Sequence, residues 1–158
     1  MNSNNINYCH SRKAFNLNEE DVSRLVFCFF LVYFVERKLN EVLQEYILKL
    51  SKHTDSFTHQ KWVQKLIVEL DLRGKKECIE EWQKLKLLTN TKDLIKFLNF
   101  VYDLRNQLFH NKIQPGKITY KNELINDDIK KKIYQDFFES IKKIKQNNNN
   151  NTVNSSDI

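Results

Sequence analysis

Only two glycines and one proline interrupt a chain of 158 residues. β-sandwiches and α/β folds draw on these residue types for their many turns, so their scarcity favours long helices with few connections. With 41% hydrophobic residues, the chain can bury one core of ordinary size. The sequence therefore predicts a single all-α domain.

Both ends of the chain differ in composition from its middle. Residues 1–16 are rich in Asn and Ser, and residues 146–158 form an Asn-rich low-complexity stretch. Both are predicted to be disordered, which leaves residues 17–145 as the folded domain. Apolar spacing predicts five helices, at about 18–50, 58–70, 76–88, 90–114 and 127–146. The expected architecture is an antiparallel bundle of four main helices plus a short extra helix.

Local signals set the expected ends of these helices. Asn18 is a predicted N-cap, and Gly74 is expected to break the second helix. The fourth helix is predicted to begin at Asn90 or Thr91, and Asn90 with Asp93 three residues later resembles a capping box. The first helix is apolar nearly all round in the run LVFCFFLVYFV, so it is expected to be the most buried element. Residues 118–124 are predicted to be a short extended segment, and the expected core aromatic residues are Tyr33, Trp62, Trp82 and Tyr102.

Charge and cysteine usage narrow the class of protein. The net charge of +6 is compatible with an anionic partner such as RNA. Cys9, Cys28 and Cys78 are too widely spaced for a zinc motif or a disulfide framework, so they are predicted to be free thiols. There is no apolar core of a signal peptide near the N-terminus, and the longest apolar run is too short to span a bilayer. A cytoplasmic protein without membrane association is expected.

The fourth predicted helix ends with an unusual group of polar residues. On a helical wheel, Arg105 falls inside the apolar stripe, while Asn106 and His110 are surface neighbours four residues apart. One interpretation is structural: Arg105 pairs with Glu36 or Glu41 or reaches out to solvent, and His110 is favoured by the helix dipole.

The other interpretation is chemical. His110 can exchange a proton near neutral pH, Arg105 can hold a phosphate through two hydrogen bonds, and Asn106 can orient either group. This set suits RNA cleavage with the 2′-hydroxyl as nucleophile, and no metal site or cofactor is predicted. His53 and His59 are weak candidates for a metal site because they are six residues apart in a predicted loop.

The run Arg105-Asn106-Gln107-Leu108-Phe109-His110 resembles the R-x4-6-H motif of the HEPN superfamily in its Arg-Asn-x-x-x-His form. The layout is similar as well, with a long apolar first helix followed by Glu36, as in HEPN and mannitol-repressor-like proteins. The resemblance implies a metal-independent endoribonuclease from a toxin–antitoxin or antiviral-defence system. It also implies a homodimer with a shared site and a cognate antitoxin or defence partner. Arg105, His110 and Asn106 would be the catalytic residues.

Further residues and other functions remain open at this stage. Asp103 and Glu36 are candidate supporting residues, although Glu36 is equally suited to pairing with a surface lysine. Lys112, Lys142 and Lys143 are candidate contacts to the RNA backbone, against the alternative of a solvated polar face. One toxin branch of the superfamily continues as His-x-Tyr, whereas here Asn111 and Lys112 follow His110. The alternative functions are a catalytically inactive HEPN-like module that binds protein or RNA, and an unrelated helical interaction domain.

Overall fold

The computed structural model describes residues 17–50, 61, 65–110 and 112–146, and the predicted all-α fold is confirmed. Trp62, His53, His59, the predicted N-terminal segment 1–16 and residues 147–158 of the predicted tail lie outside the described residues. Gln146, the first residue of the predicted disordered tail 146–158, lies in a short strand instead. A short helical stretch, 65–69, falls within the predicted second helix. The main helices are α1 (Glu19–Leu50), α2 (Leu72–Lys84), α3 (Lys92–Phe109) and α4 (Asp127–Lys143). The short elements are β1 (Leu88–Thr89), a 3₁₀ turn (Pro115–Lys117), β2 (Thr119–Tyr120), β3 (Glu123–Leu124) and β4 (Lys145–Gln146).

The centre of the bundle is α3, which packs against α1, α2 and α4. Its residues Leu94, Leu98 and Val101 are completely buried. Lys143 at the end of α4 bonds Asp93 at the start of α3, so these two helices are antiparallel. Phe97 and Phe137 stack further along the same contact, with ring centroids 5.1 Å apart. This central position orients the last turn of α3, where the predicted motif lies.

The two outer helices α1 and α4 run in the same direction. Near their starts, Arg24 Nε donates to the carbonyl of Ile125 at 2.8 Å, just before α4 begins. Further along both helices, the ring of Phe34 packs edge-on against Phe137 and Phe138. The start of α4 therefore lies beside the start of α1, and the C-terminal end of α3 lies at the same end of the bundle.

Two short antiparallel strand pairs close the connections between helices. The predicted extended segment is a hairpin in which β2 pairs with β3, and its turn residues Lys121 and Asn122 have positive φ angles. The other pair joins β1, just before α3, to β4, just after α4. The second pair was not predicted, because two-residue strands carry too little alternation to be recognised in a sequence.

The helix ends match the prediction at some positions and differ at others. Asn18 caps α1 as predicted, since its side chain accepts from the backbone N–H of Asp21 at 2.8 Å. The predicted break at Gly74 is wrong: Gly74 lies in the first turn of α2 and donates its N–H to the carboxylate of Asp71, the true N-cap. The predicted capping box of Asn90 is also wrong. The N-cap of α3 is Thr91, which makes no side-chain cap bond.

The middle of α1 is less buried than predicted. Its inner face is fully buried at Cys28, Leu31 and Val35, but Phe30 and Tyr33 on the outer face are 64% and 65% exposed. The expected core position of Tyr33 is therefore wrong, whereas Trp82 and Tyr102 are half-buried against the core. Within the described residues, no helix combines the length and apolarity needed to cross a membrane.

Candidate functional site

The last turn of α3 positions the predicted site residues. Arg105 and Asn106 are half-buried, and His110 is exposed one residue beyond the helix end at Phe109. The backbone N–H of His110 still donates to the carbonyl of Asn106 at 3.0 Å, which continues the helical pattern to this residue. This hydrogen bond holds the backbone of His110 at the end of the helix, and the His110 side chain is exposed.

Arg105 lies over an aromatic ring that is itself exposed. The Cζ atom of Arg105 is 5.1 Å from the centroid of Phe109, and Phe109 is 69% exposed. A guanidinium over an aromatic face gains a cation–π attraction of about 0.5–1 kcal/mol at an exposed site. The contact orients the guanidinium plane without using its N–H donors, which stay available to an anionic ligand.

Neither Glu36 nor Glu41, the two predicted partners of Arg105, forms an ion pair with it. Glu36 Oε1 is instead 3.7 Å from Lys75 Nζ, and Glu41 Oε2 is 2.5 Å from Lys38 Nζ. Within the described part of the chain, Arg105 forms no ion pair. Burying a guanidinium without a partner is costly. A negatively charged ligand would supply the partner that the half-buried Arg105 lacks.

Lys75 is a residue near the motif that the sequence did not reveal. Its side chain is only 1% exposed, and its ammonium contacts the carbonyl of Leu70 as well as Glu36. Burial lowers the pKa of Lys75, Glu36 and Asp71 oppose that shift, and the positive charge of Arg105 lowers it further. Lys75 and Arg105 therefore act on each other electrostatically where α1, α2 and α3 meet. No sequence signal marked Lys75, because the pair Lys75-Lys76 is typical of a solvated surface.

A second buried arginine shows how this fold neutralises such a group. Arg24 is 8% exposed, and its guanidinium donates to Asp21 and Glu20 at 2.8 Å each and to the carbonyl of Ile125. Arg24 is thus fully engaged in holding α1 to the loop before α4. Arg105, unlike Arg24, has no such acceptor among the described residues.

The remaining predicted residues are not all near the motif. Asp103 and Lys112 are exposed within or just after the last turns of α3. Lys142 and Lys143 are exposed at the other end of α3, where Lys143 Nζ lies 2.9 Å from Asp93. The hydrogen bond from Lys143 to Asp93 raises the pKa of that lysine. Lys142 and Lys143 are therefore not grouped with Arg105 and His110.

A separate cavity lies between α3, the β2–β3 hairpin and α4. Its volume is about 500 Å³, with the rings of Phe97, Phe100 and Tyr120 among its lining. Tyr120 donates to Asp136 at 2.9 Å, and Lys121 binds the same carboxylate at 2.7 Å. These bonds hold the hairpin against α4. The motif residues do not contribute to this cavity.

No group of three or more His, Cys, Asp or Glu side chains is placed to hold a metal ion in the described segments. Cys28 is buried, Cys78 is half-buried, and both are free thiols, as predicted for these two residues.

Comparison of the chain with family models, with curated proteins and with solved structures found no match.

Proposed function

We propose that this chain is a metal-independent endoribonuclease of the HEPN type. The observation that carries the proposal is that the end of α3 holds both an exposed His110 and a half-buried Arg105 with no ion-pair partner among the described residues. Neither side chain has a hydrogen-bonding partner among the described residues. The resemblance of the motif to the HEPN superfamily supports the same reaction.

The proposed reaction uses the 2′-hydroxyl of RNA as the nucleophile. A neutral imidazole of His110 accepts the 2′-hydroxyl proton while the 2′-oxygen forms a bond to phosphorus. The bond from phosphorus to the 5′-oxygen breaks, and an acid donates a proton to that oxygen. Arg105 binds the non-bridging oxygens and stabilises the charge that develops on them. The products are a 2′,3′-cyclic phosphate and a 5′-hydroxyl.

Among the described residues His110 is the one histidine, so we assign the acid and the base to two copies of the chain. A homodimer with a shared site provides both, with one His110 neutral and the other protonated. Asn106 is assigned the role of orienting the imidazole or the phosphate. Asp103 and Glu36 are assigned supporting roles, Glu36 through its contact with Lys75. The toxin or antiviral-defence setting, the cognate partner protein and the cytoplasmic location belong to the proposal through the resemblance alone.

The test is cleavage of a mixed RNA pool in the presence of EDTA, with analysis of the product ends. The wild type is expected to give 2′,3′-cyclic phosphates. Arg105→Ala is expected to lower the rate about 10²–10³-fold, as for loss of one group that stabilises transition-state charge. His110→Ala is expected to lower it about 10²–10⁴-fold. Lys131→Ala is the matched control, because Lys131 is an exposed cation on α4 that leaves the motif unchanged.

Each outcome decides between the candidate functions. Cleavage that falls in both motif variants but not in Lys131→Ala supports the nuclease. RNA binding without cleavage, weakened in Arg105→Ala, contradicts the nuclease and favours the inactive HEPN-like binding module. Folded protein that neither binds nor cleaves RNA overturns both and leaves a helical interaction domain. Poor bacterial growth with the wild type, relieved by His110→Ala, would be an early sign of toxicity.

A further inference from the structure

The cavity between α3, the β2–β3 hairpin and α4 has an aromatic floor and a charged rim. Phe97 and Tyr120 on the floor are 4% and 6% exposed, and the ring centroid of Phe100 lies 4.8 Å from that of Tyr120. Lys96 and Glu139 are exposed at the rim. With a volume of about 500 Å³ and this lining, the cavity has the size and composition of a small-ligand site.

The charges of the cavity lining cancel. The lining contains three lysines and three carboxylates: Lys96, Lys121, Lys143, Asp93, Asp136 and Glu139. Lys121 binds Asp136 at 2.7 Å. Lys143 binds Asp93 at 2.9 Å. A lining without net charge selects neither an anion nor a cation, whereas its three aromatic rings favour a flat, neutral group that stacks on them.

Two charged groups of the lining remain open to a ligand. Glu139 and Lys96 form no ion pair and no side-chain hydrogen bond among the described residues, and their charges act on Lys143 and Asp93 at longer range. The carboxylate of Glu139 offers acceptors, and the ammonium of Lys96 offers donors. A base stacked on the floor would meet both groups at its edge. Guanine fits this pair, because its N1–H and N2 amino group are neighbouring donors and O6 is an acceptor beside them.

We propose that this cavity binds an unpaired guanine base of the RNA substrate. The guanine ring stacks on Phe100, the carboxylate of Glu139 accepts from N1–H and the N2 amino group, and Lys96 donates to O6. Adenine, cytosine and uracil each present a single N–H donor group on the same edge, so none of them satisfies both oxygens of the carboxylate. That the base belongs to RNA rests on the proposed function, whereas recognition of guanine by the cavity does not.

One exposed line of α3 joins the cavity to the motif. Lys96, Asp103 and His110 are spaced seven residues apart, so each follows the last along the helix within about 20°. All three side chains are exposed. The helix rises about 21 Å from Lys96 to His110, a distance that a strand of several nucleotides spans. A strand cut at the His110 end therefore places a base several nucleotides away in the cavity, and a guanine at that position would decide where the RNA is cut.

The first test measures binding rather than cleavage, so it does not depend on nuclease activity. Fluorescence anisotropy compares a short 2′-O-methyl oligouridine with the same strand carrying one central guanine. The full chain is expected to bind the guanine strand about tenfold more tightly, as for one base read by paired hydrogen bonds. Glu139→Ala is expected to reduce this ratio to within about twofold, since the carboxylate that reads the base is lost. Phe100→Leu is expected to weaken binding of the guanine strand about tenfold, because it removes the stacking ring.

Glu81→Ala is the matched control. Glu81 is an exposed carboxylate on α2 and is not part of the cavity lining, so the variant is expected to keep the full guanine preference. Circular dichroism melts establish that each variant folds. No guanine preference in the wild type, or a preference that persists in Glu139→Ala, overturns the guanine site. Free guanosine monophosphate that competes as tightly as the guanine strand overturns the assignment to RNA and makes a free nucleotide the ligand.

The second test maps the cuts in unmodified RNA that contains a single guanine. The wild type is expected to cut at a fixed number of nucleotides from the guanine, and Glu139→Ala is expected to scatter the cuts. Cuts unrelated to the guanine, with no guanine preference in binding, overturn the cavity site and leave the nuclease standing. A guanine preference that depends on Glu139, in a chain that cuts no RNA, rejects the nuclease and leaves the cavity site intact.

Discussion

The ammonium of Lys75 lies 3.7 Å from the carboxylate of Glu36 although the Lys75 side chain is 99% removed from solvent, with 1% of its surface exposed. The same ammonium contacts the carbonyl of Leu70. A charged group in this position holds three segments together: α1 through Glu36, α2 through Lys75 itself, and the end of the preceding helical stretch through Leu70. The positive charge of Arg105 also lowers the pKa of Lys75, so this contact is linked electrostatically to the candidate site.

Glu36→Gln is expected to lower the free energy of unfolding more than Lys75→Met does. Glu36→Gln leaves a buried ammonium with a weaker acceptor and should lower the free energy of unfolding by about 1–3 kcal/mol. Lys75→Met replaces the charge with an apolar group of similar shape and should change it by less than about 1 kcal/mol. Urea denaturation of both variants measures the difference. A larger loss in Lys75→Met than in Glu36→Gln would contradict the assignment.

Lys75 should also contribute to the pH dependence of stability. Its folded-state pKa is lowered by burial below the ordinary 10.5, so between those two values the unfolded chain binds more protons than the folded chain. The contribution of Lys75 to the free energy of unfolding therefore rises with pH across that interval. The free energies of the wild type and Lys75→Met, measured at several pH values up to 10.5, should diverge in favour of the wild type. Parallel curves would show that the pKa of Lys75 is unchanged on folding.

The thiol of Cys28 is expected to be unreactive in the folded protein. Burial raises its pKa to about 12, only partly opposed by the charge of Lys130. At pH 8 the thiolate is then on the order of one part in ten thousand, and the thiolate is the reactive form. Iodoacetamide labelling followed by peptide mass spectrometry should leave Cys28 unmodified in buffer and modified in urea. Rapid labelling of Cys28 without denaturant would mean that the core around α1 opens readily.

Two helix N-caps should respond in opposite directions to loss of their side-chain oxygen. Asn126 accepts from the N–H of Ile129 at 2.9 Å, so Asn126→Ala should destabilise the protein by about 1 kcal/mol. Thr91 is fully buried, and its hydroxyl has no hydrogen-bond partner. Thr91→Val removes that unsatisfied group at nearly constant shape and should stabilise by about 1 kcal/mol. Thermal unfolding of the two variants gives the sign of each change.

The fold class could be predicted because it depends on patterns repeated along many residues. The scarcity of Gly and Pro and the apolar spacing of α3 and α4 act over whole helices, so single exceptions do not alter the result. Single-residue signals were less reliable. Gly74 was expected to end a helix, but the carboxylate of Asp71 accepts its N–H and begins a helix there instead. Propensity at one position is worth about 1 kcal/mol, which a cap bond offsets.

The candidate site was only partly predictable for the same reason. The spacing of Arg105, Asn106 and His110 is contained in one helix, so their arrangement follows from the sequence. The partners of Arg105 depend on which helices pack against α3, and this is not contained in the local sequence. The sequence did not indicate that Glu36 would form an ion pair with Lys75. The exposed outer side of α1 was likewise expected to be buried, because the run LVFCFFLVYFV is apolar nearly all round and does not indicate which side the other helices cover.

The pairing of β1 with β4 places Gln146 beside Leu88, just before α3 begins. Arg105 is thirteen residues into that helix, or about 20 Å farther along its axis. A fluorophore or surface anchor attached directly after Gln146 would therefore start at the end of the bundle remote from Arg105 and His110. Immobilising the protein through that point would leave the motif facing the solution, so RNA binding could be followed on a sensor surface without blocking the residues under test.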